Sequence, residues 1–347
     1  MLTEKQVEEI REHLDKAQNP LFFFDNDQDG LCSFLLLRRS FEKGKGVPVK
    51  NTPMGKEYFR RVNEFEPDYI FILDQPVVSK EFFEEVEKIN LPVVWIDHHE
   101  YGEKIPGFVS YYNPLLNKEK TSEPVTALCY QVSREKSSWL GVVGCIADKF
   151  VPDFYDDFLK EYPELGIKSE KAFEILYNSD IGKIAQILGN GLKDKTTNVM
   201  AMIRFLIKVK SPHEVLEESK ENQVFYKRSN DLKSKLDDLY DKAKSHLTDS
   251  NVLFFKYAGE MSMSADLANR LSYNHPKKIS VVCRIKGDRS SISVRGKNIK
   301  EKFLKIIEEF DDAGGGGHDD AIGLQMNTKD LDPFHDKLKE VFDKQKP

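Results

Sequence analysis

The sequence predicts an α/β protein with two domains, and two observations support this class. Over the first 150 residues, short apolar runs alternate with stretches in which apolar residues recur at helical spacing. A second, smaller α/β pattern follows residue 248, after a long charged segment with helical spacing. Because three of the early runs lead directly into acidic residues, the same pattern also predicts where a functional site forms.

The first domain opens with an amphipathic helix, predicted over residues 3–18 from the spacing of Val7, Ile10 and Leu14. The apolar runs 21–24, 69–73 and 92–96 are short and continuous, which is typical of strands buried inside a parallel sheet. Helical spacing predicts further helices, and a fourth apolar run predicts another strand. The predicted helices cover 30–41, 81–89, 126–132 and 138–150, residues 165–210 are predicted to be entirely helical, and the additional strand covers 108–112.

A long helix is predicted over residues 222–247, where apolar residues at helical spacing are set among many charged ones. Beyond it the spacing predicts three more strands and two helices, and a run of glycines then interrupts the chain. The strands cover 251–257, 278–285 and 290–294, and the helices cover 264–273 and 300–310. We therefore predict a first domain over residues 1–215, a helical linker over 216–247 and a second domain over 248–347.

Composition points to a globular protein of the cytoplasm. Charged residues make up 32% of the 347 residues, and no stretch approaches the roughly 20 apolar residues that a membrane span needs. The first residues show no secretion signal. Because the four cysteines have no paired spacing, we expect reduced, buried thiols rather than disulfides or zinc ligands.

Charge is unevenly distributed along the chain. The net charge is −6, but residues 277–305 contain ten basic and two acidic residues, a local excess of eight positive charges. Such a segment can attract the phosphates of a nucleic acid. The alternative is an ordinary solvated surface.

The most informative motifs are the acidic residues that follow three of the predicted strands: the segment 25–30 (Asp-Asn-Asp-Gln-Asp-Gly), Asp74, and the segment 97–99 (Asp-His-His). Parallel strands present their carboxyl ends at one edge of a sheet, so these side chains should converge. Converging carboxylates repel one another unless cations neutralise them. Oxygen ligands with one or two imidazoles favour Mn²⁺ or Mg²⁺, and the number of carboxylates leaves room for two ions about 3.5–4 Å apart. Taken singly, each motif is also consistent with a polar turn or a helix cap.

A second unusual segment consists of four consecutive glycines, Gly314, Gly315, Gly316 and Gly317, followed by His318. Glycines allow a backbone to approach a ligand closely, and successive amides can form an anion-binding nest. Arg295, at the end of a basic strand, could clamp a phosphate with two hydrogen bonds. The alternative is a flexible hinge.

Taken together, these motifs resemble those of the DHH phosphoesterase superfamily, and within it the RecJ-like nucleases of archaea and bacteria. Residues 25–30, Asp74 and residues 97–99 resemble its first three motifs, and residues 144–148 (Gly-Cys-Ile-Ala-Asp) resemble the fourth. Residues 314–318 resemble the glycine-rich loop of the DHH-associated C-terminal domain. One departure is Asp25, where many relatives have histidine.

The resemblance implies a centre for two Mn²⁺ or Mg²⁺ ions. One ion would be held by Asp25, Asp27 and Asp74, and the other by Asp29, Asp74, His98 and Asp148. It also implies that His99 faces the scissile phosphate, that Asp97 orients a histidine, and that Arg295 and the segment from Gly314 to His318 grip the terminal nucleotide or nearby phosphates.

The function that the resemblance implies is hydrolysis of single-stranded DNA or RNA from an end, bound in a cleft between the two domains. It also implies that DNA repair or replication proteins are possible partners and that no membrane is involved. Two alternatives stay open. The chain could be a phosphodiesterase of short oligonucleotides or cyclic dinucleotides, similar to the nanoRNases, or a replication scaffold with little catalysis.

Overall fold

The computed structural model describes residues 1–100, 102 and 104–343, and the chain divides into two compact units, Met1–Ser229 and Asn230–Pro347. Each unit contains its own five-stranded sheet flanked by helices. The predicted α/β class is therefore confirmed. The side chain of His318 lies outside the described part of the chain.

The first unit is built on a wholly parallel sheet with strand order β2-β1-β3-β4-β5. Its strands are β1 (Pro20–Asp25), β2 (Lys45–Val49), β3 (Tyr69–Leu73), β4 (Val93–Ile96) and β5 (Val109–Tyr112). The strands predicted from apolar runs are confirmed. The edge strand β2 has no such run and contains Pro48, which an edge position tolerates and a central one does not.

The helices of the first unit follow the predicted pattern and are more numerous. They are α1 (Glu4–Lys16), α2 (Gln28–Phe41), α3 (Phe59–Phe65), α4 (Lys80–Lys88), α5 (Val125–Val132), α6 (Ser138–Ala147), α7 (Tyr155–Glu161), α8 (Ala172–Asn178), α9 (Asp180–Leu192), α10 (Thr196–Lys208) and α11 (His213–Leu216). The next helix, α12 (Gln223–Lys244), runs across the boundary between the two units and matches the long helix predicted there.

Both faces of the first sheet are buried, and this explains why its strands are apolar without alternation. Phe22, Phe24 and Phe71 pack on one face, in a core that includes α2, α5, α6 and α9. Phe23 and Trp95 pack on the other face, in a core that includes α3 and α4. With helices on both faces, the carboxyl edge of the sheet is where polar side chains can gather.

The turn from β1 to α2 is unusually tight. Asp27 is the N-cap of α2, and its carboxylate accepts a hydrogen bond from the amide of Gly30 at 2.9 Å. A Cβ atom on Gly30 would lie 2.4 Å from the carbonyl oxygen of Asp25. Only glycine therefore allows α2 to begin so close to the end of β1, which keeps the acidic residues of this turn together.

The second unit has a mixed sheet with strand order β6-β7-β8-β10-β9. The strands are β6 (Val252–Ala258), β7 (Ile279–Lys286), β8 (Arg289–Arg295), β9 (Gly314–His318) and β10 (Ala321–Asn327). The helices are α13 (Ser264–Asn274), α14 (Lys300–Ile307) and α15 (Leu331–Asp343). One face of the sheet packs with α14 and α15 around Phe303 and Phe334.

The glycine run differs from the predicted loop, because it forms the edge strand β9, paired antiparallel with β10. The reason is steric. A Cβ on Gly315 would lie 2.2 Å from the carbonyl oxygen of Gly323 and 2.6 Å from the Cα of Leu324. A side chain at this position would hold the two strands apart. The glycine therefore allows β9 to pair with β10, and the run does not interrupt the chain as predicted.

All four cysteines are free and buried, as predicted. Within the described ranges, no helix combines the length and apolar character needed to cross a membrane.

We predict that Gly30→Ala lowers the free energy of unfolding by about 1–3 kcal/mol, because the new methyl group would overlap the backbone of Asp25. Urea unfolding followed by circular dichroism measures the change. Gly107→Ala is the matched control, since a Cβ there would have no atom within 4 Å. Equal stabilities of the two variants would contradict the predicted clash.

Candidate metal centre

The acidic turn after β1 contributes three carboxylates. Asp25 is the last residue of β1, Asp27 is the N-cap of α2, and Asp29 lies in the first turn of that helix. Asp29 is buried, and each of its carboxylate oxygens accepts a backbone amide from the start of α5. Val125 donates at 2.8 Å and Thr126 at 2.6 Å. The positive end of α5 therefore favours a negative charge on Asp29.

Asp74 follows β3 with its backbone in the left-handed region, at a φ of 59°. Its amide still donates to the carbonyl of Ile96 at 3.0 Å. The left-handed backbone conformation therefore occurs at the residue where the pairing of β3 with β4 ends. Only 3% of the residue is exposed. Aspartate and asparagine tolerate this conformation better than most residues.

The histidines follow β4. Only 6% of His98 is exposed, and its Nε2 lies 3.5 Å from Asp74 Oδ1 and 3.9 Å from Asp148 Oδ2. Asp148 is the C-cap of α6 and approaches from the helical layer. The Nδ1 atom of His99 lies 3.9 Å from the same oxygen of Asp74.

Asp97 contacts His99 rather than His98. Its Oδ1 lies 2.8 Å from Nδ1 of His99, and its Oδ2 accepts a hydrogen bond from the hydroxyl of Tyr111 at 3.1 Å. Asn113 completes a ring of contacts by donating to the Tyr111 hydroxyl at 2.8 Å and to the carbonyl of His99 at 2.9 Å. Because Asp97 accepts the Nδ1 proton, Nε2 is the nitrogen through which His99 can meet a ligand.

Three overlapping groups could each hold a metal ion, since the ligand atoms within a group all lie within 4.8 Å of one another. We call their combined residues the carboxylate–histidine cluster. The groups are Asp25 with Asp27 and Asp74; Asp29 with His98 and Asp148; and Asp74 with His98 and His99. All of the predicted metal ligands are thus brought together within the first unit.

Burial and mutual repulsion make the cluster costly without a cation. Burial, and then the neighbouring Asp27, raise the pKa of Asp25 to about 7. Burial also raises the pKa of Asp29 to about 7, where attraction to His98 opposes the shift and Asp148 adds to it. For Asp74, burial followed by four nearby carboxylates raises the pKa well above its usual value. A bound cation would reverse these shifts.

His99 shows the opposite balance. Burial lowers the pKa of His99, but the hydrogen bond and charge of Asp97 and the surrounding carboxylates outweigh burial and raise the pKa above its usual value. A positively charged ring at this position would attract a phosphate.

The donor set fits a divalent cation. Asp74 Oδ1 is buried without a hydrogen-bond partner in the described part of the chain, although it lies close to both histidines. A buried carboxylate oxygen without a partner is unfavourable unless something else satisfies it. Carboxylate oxygens with one or two imidazoles are the ligand types preferred by Mn²⁺ and Mg²⁺.

The predicted substrate-binding residues lie together in the second unit. Arg295 ends β8, and the register places it opposite Ala321 of β10, which in turn pairs with His318 of β9. The guanidinium of Arg295 donates to Asn269 at 2.5 Å. Arg295 therefore lies at the same end of the sheet as His318, and the glycines extend from that end along β9.

Several residues that hold the ligands were not predicted from sequence. They are Gln75, Tyr111, Asn113 and Thr126, which contact Asp25, Asp97, His99 and Asp29 respectively. Apart from Gln75 beside Asp74, they lie away from the acidic motifs in sequence. Of the residues distant from these motifs, Asn113 directly follows a predicted strand, and this position could have identified it as a site residue.

Comparison with known proteins finds a family match in the second unit and a shared fold over the chain. Residues 249–344 match the DHHA1 domain family, and no curated protein sequence matches the chain. RecJ from Thermus thermophilus, solved with Mn²⁺, shares 16% identity at a TM-score of 0.71, over 100% of this chain and 56% of that one. A second structure, of exonuclease RecJ bound to manganese, shares 16% identity at a TM-score of 0.63, over 100% of this chain and 96% of that one.

A pGpG-specific phosphodiesterase from Vibrio cholerae shares 14% identity at a TM-score of 0.51, over 95% of this chain and 100% of that one. At such identities the likeness shows a shared fold. This chain spans 56% of the length of the Thermus thermophilus protein. The DHHA1 match confirms the predicted C-terminal domain, and the predicted resemblance to RecJ-like proteins is confirmed as a shared fold.

We predict that Mn²⁺ raises the melting temperature much more at pH 8 than at pH 5.5. The raised pKa values of Asp25 and Asp29 mean that protons occupy the cluster below about pH 7 and compete with the cation. Without metal, the same groups stabilise the folded state below their unfolded pKa near 4, and that stability is lost as pH rises through about 7.

Asp74→Asn is the test variant, because asparagine accepts the same backbone conformation without the charge. At pH 8 we expect it to melt higher than the wild type without metal, because the buried carboxylate is replaced by an uncharged amide, and to gain little from Mn²⁺. Differential scanning calorimetry measures both effects. An unchanged response of the variant to Mn²⁺ would contradict the assignment of Asp74.

Proposed function

We propose that this chain, which has the fold of RecJ and a DHHA1 domain, is a divalent-metal-dependent phosphodiesterase that degrades single-stranded DNA or RNA from an end. The observation that carries the proposal is the carboxylate–histidine cluster at the carboxyl edge of the parallel sheet. Five carboxylates meet there, and two of them, Asp29 and Asp74, are buried, which favours cation binding over a purely structural role.

We assign one ion to Asp25, Asp27 and Asp74 and the other to Asp29, Asp74, His98 and Asp148, with Asp74 shared. Asp74 suits this shared position because it lies within ligand distance of partners on both sides. Two divalent cations held by these residues would supply neutralisation of phosphate oxygens and activation of water. The protein's own contribution is to hold the ligands rigidly on strand ends and helix termini.

We assign His99 to the phosphate that is cleaved. Its Nδ1 is held by Asp97, and Tyr111 and Asn113 hold Asp97 and the backbone of His99 in turn. The ring is therefore fixed in direction, and its Nε2 can donate a hydrogen bond to a phosphate oxygen. A fixed donor stabilises developing negative charge at little cost in reorganisation.

The second unit supports a nucleic-acid substrate. Cβ atoms built on Gly314, Gly316 and Gly323 would meet nothing within 4 Å, so this part of β9 and β10 presents bare backbone to its surroundings. Arg295 stands at the end of the same surface, within the segment that carries eight excess positive charges. Bare backbone beside basic side chains suits phosphate groups, and we assign terminal-nucleotide binding to it.

A second candidate function is hydrolysis of very short oligonucleotides or cyclic dinucleotides. The fold shared with a pGpG-specific phosphodiesterase over that protein's whole length favours it. Both candidates use the same cluster and differ in how much of a strand is bound.

A purely scaffolding role is disfavoured. A scaffold has no need of buried carboxylates with raised pKa values, yet all six predicted metal ligands converge here. Association with replication or repair proteins stays a prediction that is compatible with an active enzyme.

We expect the wild-type chain with Mn²⁺ to release mononucleotides from one end of a linear single strand and to leave a circular strand intact. Strands labelled at the 5′ or 3′ end, as DNA and as RNA, give polarity and sugar preference. Asp74→Asn should lower the rate at least about 100-fold, because the charge shared by both ions is lost. Cutting of circular and linear strands at equal rates would contradict end binding, and full activity of the variant would contradict the metal centre.

Competition between labelled dinucleotides and strands of about 20 nucleotides separates the two candidate functions. For an exonuclease we expect the longer strand to inhibit dinucleotide cleavage at lower concentration, because more phosphates contact the basic surface. Stronger inhibition by the dinucleotide would instead favour the short-substrate phosphodiesterase.

A further inference from the structure

Gln75 is a buried amide beside the candidate metal centre, and none of the motifs includes it. It follows Asp74 directly and is 0% exposed. Its backbone carbonyl accepts the indole N–H of the buried Trp95 at 3.0 Å, which anchors the main chain at this point. The left-handed backbone of Asp74 marks the same short turn after β3.

The side chain of Gln75 reaches the end of the neighbouring strand. Its Nε2 donates to Oδ1 of Asp25 at 3.0 Å. Since β1 pairs with β3, this bond ties together the two strand ends from which Asp25 and Asp74 extend. Both of those carboxylates belong to the same group of potential ligands.

A glutamine here is hard to explain by packing alone. Its Oε1 is buried and has no hydrogen-bond partner among the residues that the structure describes. Leaving a buried acceptor unpaired is unfavourable, and a methionine of similar length would fill the space without that cost. The amide nitrogen, which donates to the candidate metal ligand Asp25, therefore explains why glutamine occupies this position.

The direction of the Asp25 carboxylate has to be fixed if it is to serve as a ligand. Asp25 is only partly buried, so its carboxylate has room to turn, and the adjacent Asp27 repels it. Asp27 and Asp29 are themselves held by backbone amides of Gly30 and of the α5 start. Asp25 also accepts a hydrogen bond from the backbone amide of Asn26, and the side-chain hydrogen bond that the structure describes for it comes from Gln75.

We propose that Gln75 is a positioning residue of the metal centre, whose amide holds one oxygen of Asp25 so that the carboxylate presents its remaining oxygen to the cation shared with Asp27 and Asp74. An N–H group cannot itself bind a cation, so Gln75 acts through Asp25. The proposal rests on the proposed metal centre and adds the means by which its strand-end ligand Asp25 is oriented.

The test measures Mn²⁺ binding to the full chain by isothermal titration calorimetry, together with the electron paramagnetic resonance spectrum of the bound ion. Gln75→Met removes the donor and keeps the length of the side chain, and Gln75→Glu keeps the size and replaces the donor by a carboxylate. We expect either change to weaken binding at one site by about tenfold or more. Gln186→Met is the matched control, because the Gln186 amide donates to the carbonyl of Leu176 rather than to a ligand.

A double-mutant cycle with Asp25→Ala separates positioning from general disruption. If Gln75 acts through Asp25, then Gln75→Met in the Asp25→Ala background changes Mn²⁺ affinity by less than about twofold. An equal loss in both backgrounds would overturn the proposal, as would wild-type affinity in Gln75→Met or Gln75→Glu. Thermal unfolding without metal establishes that each variant is folded, and Gln75→Glu takes the place of Gln75→Met in the cycle if the latter does not fold.

Failure of the proposed function gives a different result. A wild-type chain that binds no Mn²⁺ would overturn the metal centre, and Gln75 would lose its role with it. A wild-type chain that binds Mn²⁺ and loses it in Asp74→Asn, but not in the Gln75 variants, would overturn only the role of Gln75.

Discussion

Repulsion among carboxylates at one sheet edge is the constraint on which this structure depends. Three strands of a parallel sheet end beside acidic residues, and the fold brings their side chains within a few ångströms. Burial strengthens the repulsion, as the raised pKa values of Asp25, Asp29 and Asp74 show. Bound cations would relieve this repulsion. The folded state is therefore most stable with the metal ions that the proposed function requires.

Hydrogen bonds around the cluster fix the directions of its carboxylates. Asp27 caps α2, Asp29 faces the start of α5, and Asp97 lies between His99 and Tyr111. Each of these hydrogen bonds favours the charged carboxylate without removing the charge. A salt bridge to lysine or arginine would compete with a metal for the same carboxylate. The backbone amides that contact Asp27 and Asp29 orient these two carboxylates and leave their charge available to a cation.

Much of this arrangement could be predicted from sequence, because its signals are local. Continuous apolar runs predict doubly covered parallel strands, and residues directly after such strands must lie at the carboxyl edge. The parts that could not be predicted are those without a local signal. The edge strand β2 is short and contains Pro48, and the glycine run forms strand β9, although glycine is usually depleted in strands.

The sequence by itself determined that the acidic and histidine residues after β1, β3 and β4 meet, since strand polarity brings them to one edge. Asp148 ends a helix, and only its resemblance to a family motif pointed to the site. Only the tertiary structure decided how they are held. Asp97 contacts His99 rather than His98, Asp29 faces a helix that begins 96 residues later, and Gln75 reaches across to Asp25. Side-chain direction depends on rotamers and on packing between distant segments, and no pattern along the chain records either one.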